Sequence, residues 1–468
     1  MKLKQRVIMM SSLFLTMATL FLIGIQLTWT LTDPQSQHPN QEKSNESIEK
    51  KLSPAVPSSN QPPSDAINRF RERFNNHKRP PPPLPVPRDE LMKDILQKRF
   101  GKFPHIGKPP SLDLTTVPFV KINPWSVWER WVTQDHFYPE GAFYSSEMNQ
   151  ILETLATSQV TELGLGYKGT QLKATMMLGG QKTVFKPKRY SRDEVIEGNP
   201  YAGFDRHNGE IAGFHLDGIL GFRLAPPVVG RKINLTALGP IITEKLKATF
   251  LKRGNNICFY GKCYYCKPAE AACADGEVME GSVTLWLPSW YKLKTRRHPY
   301  QRTYRAETSA RWEKDSSYCK TTVLDQSSEF YSGVLEYTDT AVYDFLMGNA
   351  DRHHYEVYSL AKPHGKLIHI DNGKTFGNPH HDEVSILAPL TQCCRFRSST
   401  WDKLQSIESS PDKLSEILDK SLQRDPLYPI LSQDHLAAID RRLEIIMTAI
   451  RHCIDTEGRK DTIVDSWG

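Results

Sequence analysis

Two aspartates stand behind apolar segments in an order that suits phosphoryl transfer. Residues 341–348 form a largely apolar run that reads as a helix, and it ends at Asn349-Ala350-Asp351-Arg352-His353-His354-Tyr355-Glu356. After a short polar loop, Leu367-Ile368-His369-Ile370 reads as a strand and delivers Asp371-Asn372-Gly373. Moving a phosphoryl group needs one carboxylate to accept the proton of the attacking hydroxyl and another to hold the metal that bridges the phosphates. Asp351 fits the first role and Asp371 the second. Glu356, five residues after Asp351, stands where a conventional kinase carries a metal-binding asparagine, so the extra negative charge raises the demand for bound Mn²⁺ or Mg²⁺. Alone, Asp371-Asn372-Gly373 is also a strong turn sequence. His353 and His354 read as structural residues rather than metal ligands, because their spacing gives them no shared helix face.

The phosphate-binding part lies upstream. Gly164-Leu165-Gly166-Tyr167-Lys168-Gly169 matches G-x-G-x-x-G, which a dinucleotide fold would follow with a helix. Instead residues 171–178 alternate like a strand, and Gly179-Gly180 turns into Thr183-Val184-Phe185-Lys186. Strand, glycine loop, strand, turn and strand with a lysine is the kinase order, with Lys186 meeting the phosphates as a point charge. A solvated strand-end lysine is the plainer reading of Lys186 alone. Between these pieces, Phe204-Asp205-Arg206-His207-Asn208-Gly209-Glu210 opens a helix reaching Leu220. Asp205 is either its cap or a metal-side carboxylate, and Glu210 is a candidate ion-pair partner of Lys186.

These groups need a scaffold of strands first and helices later, which predicts an α+β fold of two lobes, β-rich and then mainly helical. Leu436, Ile439, Leu443, Ile446 and Ile450 recur at helical spacing and predict a closing amphipathic helix. The 468 residues, 39% hydrophobic and 24% charged, exceed one such core. The excess lies at the N-terminus. Lys2, Lys4 and Arg6 precede an uncharged apolar stretch over residues 7–25, read as an uncleaved signal anchor with its tail in the cytosol; a cleaved signal peptide is the alternative. The expected layout is tail and anchor over 1–31, a proline-rich luminal stem over 32–118, a catalytic domain over 119–458 and a tail over 459–468. A net charge of +7, without basic and aromatic residues interleaved, argues against nucleic acid and for an anionic or glycan ligand. All eight cysteines lie on the luminal side. Cys258, Cys263, Cys266 and Cys273 fit a nested disulfide pair better than a zinc knuckle, while neighbouring Cys393 and Cys394 must reach different partners, with Cys319 and Cys453 remaining. Asn45 and Asn234 open N-glycosylation sequons.

The strings GYKGTQLKA, VFKPKRYSRD, GNADRHHYE, IDNG and SILAPL resemble a small group of secretory-pathway kinases. That group contains kinases of the glycosaminoglycan linker, a Golgi casein kinase and a pseudokinase. The resemblance runs from about Trp125 to Asp455. It implies an atypical, disulfide-bonded kinase fold, Asp351 as catalytic residue, and Asp205 and Asp371 as Mn²⁺ ligands. It also implies ATP-site roles for Gln171, Lys186, Glu356 and Asp371, a hinge over Thr284, Leu285, Trp286 and Leu287, and cysteines at the group's disulfide positions. Asp205 matches the sugar-phosphorylating members, since the casein kinases carry glutamate there and the pseudokinase lacks a carboxylate. Gly209 departs from the usual alanine. The implied reaction is phosphorylation of the 2-hydroxyl of xylose by ATP with Mn²⁺ (or Mg²⁺) in the Golgi lumen. The implied partners are the galactosyl-xylose core glycan, the membrane through the anchor, and a second kinase chain in a homo- or heterodimer; cutting the stem would release the enzyme. A secretory serine kinase and a pseudokinase activator are the competing readings. Tyr201, His354 and Trp401 are candidates for the acceptor pocket.

Overall fold

Alternating burial builds the first lobe. The computed structural model describes residues 123–166, 169–304, 308–361 and 365–467, so the expected anchor and stem and the Asn45 sequon lie outside the described residues. Helix α1 (Pro124–Trp131) starts at Asn123, whose Oδ1 accepts from Trp125 N at 3.1 Å, and α2 (Ser146–Thr157) starts at Ser145 in the same way. Strands β1 (Val160–Leu165), β2 (Ala174–Leu178) and β3 (Gln181–Pro187) then run antiparallel, with Ala174, Met176 and Leu178 buried between outward neighbours. The strand expected from residue 171 therefore begins three residues later.

Helix α3 (His207–Leu220) is buried on every side, as a helix between two layers must be. It is followed by β4 (Val228–Asn234), the small sheet β5 (Phe250–Arg253), β6 (Asn256–Phe259) and β7 (Ala272–Cys273), and then β8 (Val278–Leu285). The main sheet has the order β1-β2-β3-β8-β4. Asn234 ends β4 with its side chain exposed, its Oδ1 accepting from Ala237 N at 2.9 Å.

The second lobe is mostly helical. Strand β9 (Leu293–Arg297), the buried α4 (Val334–Met347) and β10 (His354–Tyr358) bracket the Asp351 loop. Helices α5 (Ala388–Cys393), α6 (Ser398–Glu408), α7 (Leu414–Leu422) and α8 (Gln433–Glu457) follow; the expected tail from residue 459 is in fact part of the lobe, since Thr462 is buried and Ile463–Val464 pairs in parallel with Phe396–Arg397. All five residues of the expected closing stripe on α8 are buried; each such side chain contributes about 1.5–3 kcal/mol. Arg442 on α8 is buried as well and donates to Asp382 Oδ1 at 2.8 Å and to the carbonyls of Leu346, Asn378 and His381 at 3.0–3.2 Å.

The expected strand 367–370 is not one. Only Ile368 bridges a strand residue, Glu356, while His369 N donates to Leu224 O at 3.0 Å. The segment is extended because Glu356 and the buried Leu224 satisfy successive N–H groups, and an apolar run cannot tell these cases apart.

The cysteines pair as Cys258–Cys273, Cys263–Cys266, Cys319–Cys393 and Cys394–Cys453, leaving no free thiol. The nested arrangement holds, and the zinc-knuckle alternative falls because all four thiolates it would need are consumed. Among the described residues no helix is long and apolar enough to cross a membrane.

Candidate active site

Lys186, on β3, is the charge around which the site is built. Its Nζ donates to Asp205 Oδ2 at 2.8 Å, Glu210 Oε1 at 2.6 Å and Asp371 Oδ1 at 2.7 Å. Burial works against the ammonium, but the three carboxylates together outweigh it and hold Lys186 well above its ordinary value. The ammonium in turn drives the exposed Asp371 carboxyl far below the usual carboxylate range, with Lys173 and Arg352 adding to the effect. Burial pushes Glu210 up, and Lys186 only partly restores it.

Asp205, Glu210 and Asp371 bring one oxygen each within 4.8 Å of one another. Hard carboxylate oxygens at that spacing suit Mg²⁺ or Mn²⁺. Three carboxylates against one ammonium leave two negative charges, the complement of a divalent cation. Asp205 is not the cap of α3, since Arg206 takes that position without a side-chain cap bond. Its carboxylate instead joins those of Glu210 and Asp371 around Lys186 Nζ. Glu210 is the residue the sequence under-read: it joins the cluster as well as pairing with Lys186.

Two arginines fix the loop that carries Asp371. Arg206 N donates to Gly373 O at 2.7 Å, and the Arg206 guanidinium binds the carbonyls of Lys374 and Thr375, the latter at 2.6 Å. Arg352 grips Asp344 through two bonds at 2.6 and 2.8 Å and reaches Asn372 Oδ1 at 3.0 Å and Ile370 O at 3.1 Å. It thereby sets the Asp351 loop against the Asp371 loop. Asp371 itself has a left-handed backbone, φ 61°, a conformation Asp tolerates better than most residues and that persists only where the surroundings hold it. Deeper in, His369 Nδ1 bonds to buried Asp217 at 2.7 Å and stacks on Tyr343. Gly209 now has a reason: a Cβ there would stand 2.3 Å from Thr375 Oγ1 and 2.8 Å from Asn372 O, so the missing methyl admits the Asp371 loop.

Asp351 sits in the loop after α4, with its N–H on Asn349 Oδ1 at 3.2 Å. The Tyr304 hydroxyl donates to its carboxylate, and His353 Nδ1 lies 2.7 Å from the same phenol oxygen and 2.9 Å from Asp351 O. His353 is therefore an orienting neighbour rather than a metal ligand, and its pKa is raised chiefly by its hydrogen bond to Asp351. No motif in the sequence pointed to Tyr304.

Between the lobes opens a cleft of about 920 Å³ lined by Lys186, Glu210 and Asp371 and by the expected hinge residues Thr284, Leu285, Trp286 and Leu287. Trp286 O accepts from Trp128 Nε1 at 3.1 Å, so α1 braces the hinge. Lys173 also lines the cleft and was not singled out in the sequence. Gln171 is at the rim of the carboxylate group, its Oε1 accepting from Asp205 N at 3.4 Å. Glu356 is held on β10 by Thr295 Oγ1 at 2.7 Å, outside the three-carboxylate cluster, and burial raises its pKa. Trp401 does not line the cleft: it is buried in the core on α6. Tyr201 packs edge-on against Tyr304 at 4.5 Å, and His354 is exposed on β10.

The family model described as "Golgi casein kinase, C-terminal, Fam20" matches residues 123–462. The chain belongs to the Fam20 family. Within it, the human glycosaminoglycan xylosylkinase is 51% identical over 347 residues, covering 73% of this chain and 83% of the relative. The human extracellular serine/threonine protein kinase FAM20C is 40% identical over 331 residues, covering 69% of this chain and 57% of the relative. Among solved structures, hydra Fam20 with sugar superposes with a TM-score of 0.70 at 46% identity, covering 73% of this chain and 98% of the other. The Golgi casein kinase with Mn/ADP bound gives 0.70 at 30% identity, covering 89% and 97%. The Fam20 fold of this chain is thus the two-lobed kinase-like one the sequence predicted.

Proposed function

We propose that this protein is a kinase that transfers the γ-phosphate of ATP to the 2-hydroxyl of xylose in the glycosaminoglycan–protein linkage region. The observation that carries the reading is Lys186 held by Asp205, Glu210 and Asp371 at the base of the interlobe cleft, in a chain half identical to a glycosaminoglycan xylosylkinase.

In this reading Lys186 meets the nucleotide phosphates as a point charge, and the segment Thr284–Leu287 receives the base. Asp351 accepts the proton of the acceptor hydroxyl, and Arg352 keeps that carboxylate in register with the Asp371 loop. Asp205 and Asp371, with Glu210 beside them, would hold Mn²⁺ or Mg²⁺, which supplies charge neutralisation on the phosphates. Gln171 and Glu356 contribute from the edge of the nucleotide site. The Golgi lumen, an N-terminal anchor, N-glycosylation at Asn45 and Asn234, and pairing with a second Fam20 chain complete the reading. The disulfides suit that oxidising compartment.

The deciding experiment offers a galactosyl-xyloside and casein to the purified protein at equal concentration with ATP and Mn²⁺. Preference for the sugar is expected to reach about 10⁴, because a pocket that hydrogen-bonds sugar hydroxyls leaves polar groups unpaired around a peptide serine. Comparable labelling of casein would make it a serine kinase instead.

A further inference from the structure

The catalytic carboxylate is already engaged by a hydroxyl of the protein. Tyr304 donates its phenol O–H to Asp351 Oδ1, while the phenol oxygen lies 2.7 Å from His353 Nδ1. An attacking alcohol must make the same O–H to carboxylate contact with its base. The tyrosine is set for this contact at some cost: its φ of 57° is left-handed, where a bulky residue stays only if its surroundings hold it. Tyr201 and His353 hold its ring, edge-on at 4.5 and 5.2 Å between centroids. The residue is still 38% exposed, so it covers Asp351 from the open side of the site and can be moved without unpacking a core. Burial first, and then Asp351, keep the phenol protonated, so it occupies the base without becoming a nucleophile.

We propose that Tyr304 stands in for the acceptor hydroxyl, covering Asp351 until the sugar displaces it and keeping water from that position meanwhile. The inference rests on Asp351 being the base. In productive transfer the sugar oxygen bonds to the γ-phosphorus, the bond to the β–γ bridging oxygen breaks with its electron pair leaving on ADP, and the hydroxyl proton passes to Asp351. Water in the same place gives inorganic phosphate and ADP by the same movements. Tyr304 is thus a specificity residue, favouring an acceptor that binds well enough to displace it.

The test uses the purified full chain and compares wild type, Tyr304→Phe and Tyr304→Leu. Phosphate release from ATP without acceptor should rise about tenfold in both variants, since one hydrogen bond to a charged group no longer competes with water, and the KM for galactosyl-xyloside should fall. A purely structural tyrosine would lower both activities together. Unchanged or reduced hydrolysis in a variant that melts like wild type overturns the proposal. Asp351→Asn in the Tyr304→Phe background separates the two readings: hydrolysis that rises with Tyr304→Phe but survives Asp351→Asn shows that Tyr304 guards the site and that Asp351 is not the base.

Discussion

Lys186 Nζ lies 2.7 Å from Asp371 Oδ1, so a strand of the first lobe and a loop of the second are tied by one ion pair at the floor of the cleft. The same ammonium holds two carboxylates from the start of α3, and the site's charge balance depends on it.

Replacing Lys186 by Met should therefore do more than remove a phosphate contact. Asp205 and Glu210 would be left without their cation, costing about 3 kcal/mol of stability. Millimolar Mn²⁺ should return part of that loss by binding the freed carboxylates. Thermal melts with and without the metal check this; a variant as stable as wild type without metal would contradict the charge balance described.

Asp351→Asn should lower transfer to the sugar by about 10²–10⁴-fold, the usual contribution of a positioned base. The melting temperature should stay near that of wild type, because Asn can still accept from Tyr304. Single-turnover assays beside melting curves separate the two effects.

Acid stability should depend on Glu280. A hydrogen bond from the buried, neutral His207, followed by the charges of Lys188 and Arg192, holds its pKa down to about 2 against partial burial. A depressed carboxylate contributes stability above its unfolded pKa, about 4.3, and loses it as pH falls through about 2. Glu280→Gln should melt lower than wild type at pH 7, and the difference should shrink from about pH 4 downwards. An equal difference at pH 7 and pH 2.5 would refute the assignment.

The Cys263–Cys266 turn abuts the glycine loop, with Tyr264 N donating to Gly169 O at 3.1 Å. Because the bridge closes so short a loop, its loss should cost little global stability. Cys263→Ser with Cys266→Ser should instead raise the KM for ATP several-fold. Nucleotide titration of the double variant measures it, and an unchanged KM would detach the turn from nucleotide binding.

What was legible in the sequence followed from local rules. Lys186, Asp351 and Asp371 stand in a fixed order on recognisable elements, and the α8 stripe has the helical period. The apolar run before Asp371 misled because its backbone is satisfied by Leu224 and Glu356 rather than by a strand partner along its length. Asp205 was ambiguous because caps and ligands share helix N-termini; the cap falls to Arg206, and Asp205 pairs with Lys186, which lies 19 residues upstream. Trp401 was offered for the sugar pocket on residue type alone, which says nothing of the direction in which a ring points. Tyr304 reaches Asp351 across 47 residues through a loop whose path no periodicity encodes.

Cys393 and Cys394 are neighbours, yet the first reaches back 74 residues and the second forward 59. Under the proposed luminal location, Cys319 is already present when Cys393 emerges, whereas Cys394 must wait for Cys453 near the end of α8. Throughout that interval a free thiol stands beside a newly closed disulfide, the arrangement that permits thiol–disulfide exchange. A message cut short anywhere between the two would yield every residue of the cleft and still leave the Cys394 thiol without its partner, a product that in the proposed compartment oxidoreductases would hold rather than release.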